Sequence, residues 1–557
     1  MGRDCGHIPT STQEAENMST KSTATNAPPT PVDDGVPQQR SPRTTWILRG
    51  AGLLLAAATY VLLGGGELGN DARAVAAVGV LMAFWWITEA IPLAATSLIP
   101  IFALPALTSL EVSEATAPYA SSIVFLFLGG FLIAIAMEKW NLHRRIALRT
   151  LKAVGTAPKR IILGMMISTA FLSMWVSNTA TTLMMLPIAM SVLALVVERR
   201  AADDDSVDTA EAKDKLREGL SAGQAISDIV ADRQVRTFGV ALVLSIAWAA
   251  SIGGLGTLLG SPPNAIVAGY LADELGRDVG FLQWMMLGVP IVITFIAVAW
   301  MLITRVLFRF DLPEVAGGDA MIQREIDKLG TMSMGERMVV AVFGSAAFLW
   351  VVPGLLTEID AVASAAPWLG ELNDTAIAIA AGVALFLLPG DREGSMVLDW
   401  KDAESGLPWG VLLLFGGGLS LAAAVAASGL DVYFGEQVSG LEVLPIVLLL
   451  AAVSAIVLFL TEGTSNTATA ATFIPVLGGV AVGIGVDPTT LLIPAALAAT
   501  CAFMLPVGTP PNAIVFGTGA VTIAEMARGG LVLNIVGLVL ITMFTVVIGP
   551  YALGLVI

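Results

Sequence analysis

The chain has 557 residues, 56% hydrophobic and only 13% charged, with a mean hydropathy of +0.80. A soluble domain has no use for that composition, whereas a polytopic helical membrane protein requires it. Two cysteines and two histidines leave no disulfide framework and no zinc or haem constellation, and the net charge of −16 collects in the tail and in loops such as Asp203-Asp204-Asp205.

Residues 1–44 are rich in Ser, Thr, Pro, Asn and Gln and read as a disordered cytoplasmic tail without the layout of a cleavable signal. A retained span follows at about 46–66. The apolar run 74–107 has 34 residues, too many for one helix and enough for two short ones broken near Thr88-Glu89 and Pro92. Further apolar segments lie at 119–138, 161–198, 235–269, 282–309, 336–357, 374–390, 408–427, 443–483, 489–519 and 529–557.

Two of these, 161–198 and 443–483, are about twice the length of a span. Each holds a polar knot near its middle, Ser177-Asn178-Thr179 in the first and Ser465-Asn466-Thr467 in the second. Each knot has a hydroxyl four residues before its serine (Ser173, Thr461) and a proline nine residues after its asparagine (Pro187, Pro475). Lys and Arg accumulate in cytoplasmic loops. They crowd both ends of 161–198, from Lys139 to Arg160 and from Arg199 to Arg236, whereas loops 428–442 and 484–488 contain none. Irregular backbone at membrane depth is tolerated only where protein or a cavity surrounds it. Both segments therefore read as re-entrant helical hairpins entering from opposite faces. The expected fold is all-α, with eleven crossings plus two hairpins, a cytoplasmic N-terminus and an external C-terminus; Arg73, at a predicted outer end, dissents.

An internal repeat supports the inversion. Phe127-Leu128-Gly129-Gly130 matches Phe415-Gly416-Gly417-Gly418, offset 415 − 127 = 288, and the knots share that offset, 466 − 178 = 288. A third pair, Gly260-Ser261-Pro262-Pro263-Asn264 and Gly508-Thr509-Pro510-Pro511-Asn512, is offset by 512 − 264 = 248. The missing 40 residues match a charged cytoplasmic insertion at about 199–236. Inverted repeats with broken helices and a midplane site characterise secondary transporters.

At a hairpin tip, unpaired backbone groups meet hydroxyl and amide side chains. Helix N-termini favour an anion, and freed carbonyls with Ser, Thr and Asn oxygens suit an alkali cation. Neither the knots nor the Pro-Pro-Asn units contain Lys, Arg or His, so an anion held there needs co-bound cations to balance its charge. Interhelical hydrogen bonding is the plainer use of such residues, but it does not account for two matched knots each paired with its own Pro-Pro-Asn break. Glu89 and Glu462 are the ionisable residues deepest in apolar runs, either proton carriers or capping carboxyls. The Gly-Gly pairs at 129–130 and 416–418 read as close helix packing.

The paired knots, the two Pro-Pro-Asn units and Thr88-Glu89-Ala90-Ile91-Pro92 resemble the divalent anion:sodium symporter family, transporters of C4-dicarboxylates, citrate and sulfate, over 46–557. The resemblance implies an elevator-type homodimer. Its scaffold would be 45–155 and 311–430, and its transport domain 156–310 and 431–557. It implies one sodium site at Ser173, Ser177, Asn178 and Gly260 and a second at Thr461, Thr464, Asn466 and Gly508. The family often has Ala at the positions of Thr464 and Gly508, a change that carbonyl ligation survives. Substrate carboxylates would meet Ser177, Asn178, Thr179, Ser465, Asn466 and Thr467, with Ser261, Thr509 and Pro510 nearby.

The leading expectation is sodium-coupled symport of a C4-dicarboxylate such as succinate across the cell membrane, with a small dianion, the bilayer and a second subunit as partners and no nucleic acid. Alternatives are a sodium-independent exchanger, a citrate or sulfate transporter of the same fold, a proton or cation antiporter using Glu89 or Glu462, or a receptor without transport. No nucleophile–base pair or metal cluster points to an enzyme.

Overall fold

Ser41 opens the first helix. Its hydroxyl accepts from Thr44 N at 3.3 Å, and Pro42 supplies the fixed φ of a first helical residue. The helix thus begins inside the stretch read as tail. The structure, a computed structural model, describes residues 41–65, 68–202, 226–230, 232–314, 317–437 and 444–556. Nearly all of the expected tail and most of the 199–236 insertion lie outside the described residues.

The described residues form helices, with a lone bridge between Pro389 and Met396 as the only extended pairing. α1 (Pro42–Leu62), α2 (Asn70–Thr88), α3 (Ile99–Leu107) and α4 (Ser122–Lys139) precede an amphipathic α5 (Leu142–Val154). Two broken pairs follow, α6 (Pro158–Ser173) with α7 (Asn178–Ala202) and α8 (Arg233–Gly253) with α9 (Pro262–Leu275), and then α10 (Phe281–Leu302). α11 (Gly318–Leu329) leads into the second half, which runs α12 (Met334–Thr357), α13 (Asp374–Leu387), α14 (Trp409–Ser428) and α15 (Leu430–Gln437). Its broken pairs are α16 (Ile446–Thr461) with α17 (Asn466–Gly483) and α18 (Pro488–Thr500) with α19 (Pro510–Gly517); α20 (Ile523–Leu553) closes the chain. Ten described stretches are long and apolar enough to cross a bilayer. The expected eleven crossings do not follow from helix length, because the breaks divide several apolar runs into shorter helices.

The repeat is visible in the helices. α5 and α15 start 430 − 142 = 288 residues apart, the offset of the knots. α8 packs against its own hairpin, α6 and α7, and against α19 of the other half; α18 packs against α16 and α17 and against α9 of the other half. Each half thus lends its Pro-Pro-Asn helix to the other. The most hydrophobic stretch of α8 is 89% buried, more than in any other spanning helix, which places this helix at the core.

Both open ends of the α6–α7 pair reach one segment of chain. Thr156, just before α6, hydrogen-bonds Glu314 at 3.4 Å, and Arg199, near the end of α7, lies against Gly317. The α2–α3 break falls where the sequence placed it. Glu89 there has φ 46 and is exposed, and Arg49 Nε donates to Ala90 O at 3.0 Å. The dissenting Arg73 is used within the α1–α2 turn, donating to Tyr60 O at 3.0 and 3.3 Å and lying 4.5 Å above the Tyr60 ring. Arg145, counted among the loop cations, is instead 4% exposed. It makes a bidentate pair with Glu336 at 2.7 and 3.0 Å and donates to Gly330 O at 2.9 Å and Leu329 O at 3.2 Å.

The Gly-Gly pairs pack closely. A Cβ on Gly129 would strike the backbone of Ala378, and one on Gly417 the backbone of Ser97. Rigid backbone cannot yield as a side-chain tip can, so Gly129→Ala is expected to cost about 1–3 kcal/mol. A lower melting temperature in detergent checks this; an unchanged one removes the close α4–α13 contact.

Candidate functional site

Why each hairpin breaks where it does follows from its hydroxyls and amides. Beyond Ser173 the chain leaves the helix for four residues and re-enters at Asn178; beyond Thr461 it does the same and re-enters at Asn466. A helix end leaves backbone groups unpaired, and here side chains and the neighbouring breaks take them up. Ser173 Oγ donates to Ala250 O at 2.8 Å and also meets the Asn178 amide. Thr461 Oγ1 repeats the pattern, 2.9 Å from Ala499 O and 2.8 Å from the Asn466 amide.

The same amide end of Asn178 lies 3.1 Å from Ala250 O and 3.3 Å from Gly260 O; that of Asn466 lies 3.1 Å from Ala499 O and 3.3 Å from Gly508 O. Each amide therefore faces one hydroxyl and two carbonyls. With nitrogen turned inward, its two N–H bonds are shared among all three. With oxygen turned inward, four oxygens converge and the single hydroxyl is the one donor among them. Hard oxygen donors of this kind suit an alkali or alkaline-earth ion. One amide rotation converts a closed network into an oxygen-lined cage, and it does so twice at equivalent places in the repeat.

Glycine makes the first cage possible. A Cβ on Gly260 would lie 2.6 Å from Gly254 O, and one on Gly254 would lie 3.0 Å from both the Asn178 amide and Gly260 O. Behind each cage a Pro-Pro-Asn asparagine holds the break. Asn264 Nδ2 donates to Gly254 O and Thr257 O, both at 2.8 Å, and Asn512 Nδ2 to Ala502 O and Leu505 O, both at 3.1 Å.

The expected site residues divide into three groups. Ser173, Asn178 and Gly260 come together, as do Thr461, Asn466 and Gly508. Thr179, Ser465 and Thr467 are half-buried, with hydroxyls that have no partner among the described residues, so they remain available to a ligand. Ser177, also half-buried, accepts from Ala180 N at 3.2 Å at the start of α7. The remaining hydroxyls are engaged elsewhere. Thr464 donates to Leu460 O at 3.0 Å and pairs with Thr469 at 2.6 Å, so its side chain does not join the second cage. Ser261 pairs with Thr500, and Thr509 accepts from Asn512 N at 3.3 Å; both are buried. Pro510 is the first residue of α19.

Sequence reasoning missed the Ala250 and Ala499 carbonyls. The available signal was position: each lies in the last turn of the helix before a Pro-Pro-Asn break, where carbonyls can be reached by groups outside the helix; Ala250 O accepts from Gly254 N at 3.1 Å as well as from Ser173. Glu462 acts as a capping group. Its carboxylate accepts from Phe503 N at 2.8 Å, Met504 N at 3.0 Å to each oxygen, Leu505 N at 3.1 Å and Asn534 Nδ2 at 2.5 Å, and it is 4% exposed. These donors fill both oxygens, which disfavours a proton-carrying role, and Glu89 is exposed at its turn.

Comparison with known proteins adds independent findings. A family model described as the sodium:sulfate symporter transmembrane region matches residues 51–555. The chain is 42% identical over 507 residues to a sodium-dependent dicarboxylate transporter, SdcS, of Staphylococcus saprophyticus, covering 90% of this chain and 91% of that one. It is 40% identical over 483 residues to the SdcS of Staphylococcus aureus strain NCTC 8325, covering 86% of each. Among solved structures, the YdaH transporter of Alcanivorax borkumensis aligns with a TM-score of 0.54 at 13% identity, covering 91% of this chain and 98% of that one. That last likeness concerns the fold alone.

Proposed function

The chain belongs to the sodium:sulfate symporter family, the divalent anion:sodium symporters that its motifs resemble, and from that premise we propose that it is a membrane transporter coupling sodium to the movement of a C4-dicarboxylate. The observation that carries this reading is the twin cage. Two sodium ions enter as cargo, one held by Ser173, Asn178, Ala250 O and Gly260 O, the other by Thr461, Asn466, Ala499 O and Gly508 O. The oxygen-only lining fits a hard monovalent cation. The dianion rests on the unpartnered hydroxyls of Thr179, Ser465 and Thr467, with Ser177 and the N-termini of α7 and α17, which begin at Asn178 and Asn466. Backbone N–H groups at helix starts favour negative charge. No basic side chain lies in the four motifs, so the sodium charges balance the carboxylates, and neither cargo binds well alone.

The common reach of both α6–α7 open ends, to Glu314 and to Gly317, supports the reading of that pair as a re-entrant hairpin. The repeat supports the same reading, inverted, for α16–α17. We assign 45–155 and 311–430 to a scaffold and 156–310 and 431–557 to a transport domain that slides as an elevator within a homodimer. The distribution of basic residues supports a cytoplasmic N-terminus and an external C-terminus.

Radiolabelled succinate uptake into proteoliposomes tests the function. An inward sodium gradient is expected to drive accumulation that a potassium gradient does not. Equal uptake under both gradients would reject symport and leave exchange.

A further inference from the structure

Gly260 O belongs to the first cage and Ala499 O to the second. The residues that follow them in the chain, Ser261 and Thr500, share a hydrogen bond of 2.9 Å through their hydroxyls. Ser261 is 1% exposed and Thr500 0%. Each cage carbonyl is therefore one peptide away from a bond that crosses between the halves of the molecule.

Forming that bond takes Ser261 away from the role its position predicts. Ser261 and Thr509 stand at the same place before their Pro-Pro-Asn helices, with nearly the same backbone, φ −151 and ψ 139 against φ −142 and ψ 146. Thr509 caps its helix by accepting from Asn512 N. Ser261 makes no side-chain cap, although serine is a preferred capping residue, because its hydroxyl is turned toward the other half. The first-half counterpart of Thr500 is Ser251, aligned as Ala250 is with Ala499, 499 − 250 = 249; its buried hydroxyl has no hydrogen-bond partner among the described residues, while Thr509 caps its own helix, so the bridge is formed once and the repeat symmetry is broken there. A second tie runs beside it: Trp248, two residues before the cage carbonyl of Ala250, donates from Nε1 to Phe503 O at 3.0 Å.

We propose that the Ser261–Thr500 bridge couples the two cation cages, so that filling one raises the affinity of the other; this rests on the reading of both cages as sodium sites. A cation in the first cage fixes the Gly260 carbonyl and with it Ser261. The bond passes that constraint to Thr500 and so to Ala499 O. Water does not reach the buried pair to replace the bond, and in an apolar surrounding an unmet hydroxyl is costly, so the two backbones move together. The coupling acts equally in the other direction, as linkage requires. Ser261 and Thr500 are thus positioning residues for coupled binding.

Labelled succinate uptake by proteoliposomes, measured against external sodium, provides the test. Wild type is expected to give a sigmoidal curve with a Hill coefficient near the limit of about 2 for two coupled sites. Thr500→Val keeps the shape without the hydroxyl and is expected to lower the coefficient toward about 1, leaving only the coupling that passes through the shared dianion, while Thr500→Ser keeps the wild-type value. Ser261→Ala breaks the same bond from the other side and carries the test if the valine variant does not fold. The double variant should fall no lower than either single one, because both remove one interaction. A wild-type curve without cooperativity, wild-type cooperativity in folded Thr500→Val, or additive losses in the double variant overturns the bridge. Asn178→Ala and Asn466→Ala separate this outcome from the site beneath it. If they retain wild-type sodium dependence, the cages are not sodium sites; if they lose it while Thr500→Val stays cooperative, only the bridge fails.

Discussion

Replacing Asn178 or Asn466 by alanine is expected to raise the sodium concentration for half-maximal transport by roughly 5- to 150-fold, the equivalent of about 1–3 kcal/mol for a lost buried polar partner. Each amide is the one group that faces all the others in its cage, one hydroxyl and two carbonyls within 3.3 Å. Alanine leaves those oxygens with no amide to share or separate a cation. Because the dianion depends on the sodium charges, the substrate concentration for half-maximal uptake should rise with it at fixed sodium. Uptake in proteoliposomes at graded sodium, with thermal stability in detergent as the control for folding, separates loss of the site from loss of the protein. A folded variant with unchanged sodium dependence would remove its cage from the transport cycle. Asn178→Asp and Asn466→Asp sharpen the experiment. Each keeps an inward oxygen and adds negative charge, so the acid should bind sodium where the alanine does not.

How much of this was legible in the sequence depends on where the information resides. The knots, their proline partners and the Pro-Pro-Asn units are side-chain patterns, and their offsets of 288 and 248 placed the breaks between α6 and α7, α8 and α9, α16 and α17, and α18 and α19. Gly129 against Ala378 bears out the packing reading of the Gly-Gly pairs. Half of each cage is backbone, however. Ala250 and Ala499 contribute carbonyls that any residue carries, so their identity gives no signal. Hydroxyl direction was equally hidden: Ser261 and Thr509 share a motif position and a backbone conformation, yet one reaches Thr500 and the other caps its own helix. Charged residues misled for a related reason. Arg145 counts as a loop cation until α12 places Glu336 beside it, 191 residues away in sequence. The stretch around it, read as a basic loop, is the amphipathic helix α5.

Glu462→Gln is expected to be the most damaging single-atom change in the second half, costing about 2–5 kcal/mol of stability together with sodium-driven transport, since glutamine offers one acceptor where two are in use and leaves buried N–H groups unpaired. In wild type, Met504 N and Leu505 N bond Oε2 while Phe503 N, Met504 N and Asn534 bond Oε1. This fastens the unwound stretch after α18 to the end of α16. The first half solves the equivalent problem differently. The counterpart of Glu462 is Met174, since 462 − 288 = 174, and Thr257 there donates its hydroxyl to the Met174 carbonyl. Only the second break therefore rests on a carboxylate, and a Cβ on Gly508 would lie 3.1 Å from Glu462 O, so the fastening adjoins the second cage. Losing it should loosen that cage first: residual sodium binding to purified Glu462→Gln, followed by thermal shift, should retain one class of site and lose the other. Met174→Leu, which disturbs no donor, should keep both. The same variant decides the proton-carrier alternative. If Glu462→Gln keeps wild-type stability and sodium-driven succinate uptake but stops the dissipation of an imposed pH gradient, then the carboxyl carries protons and does not fasten the break. Loss of stability and of sodium-driven uptake, without any proton flux in wild type to lose, establishes the fastening role.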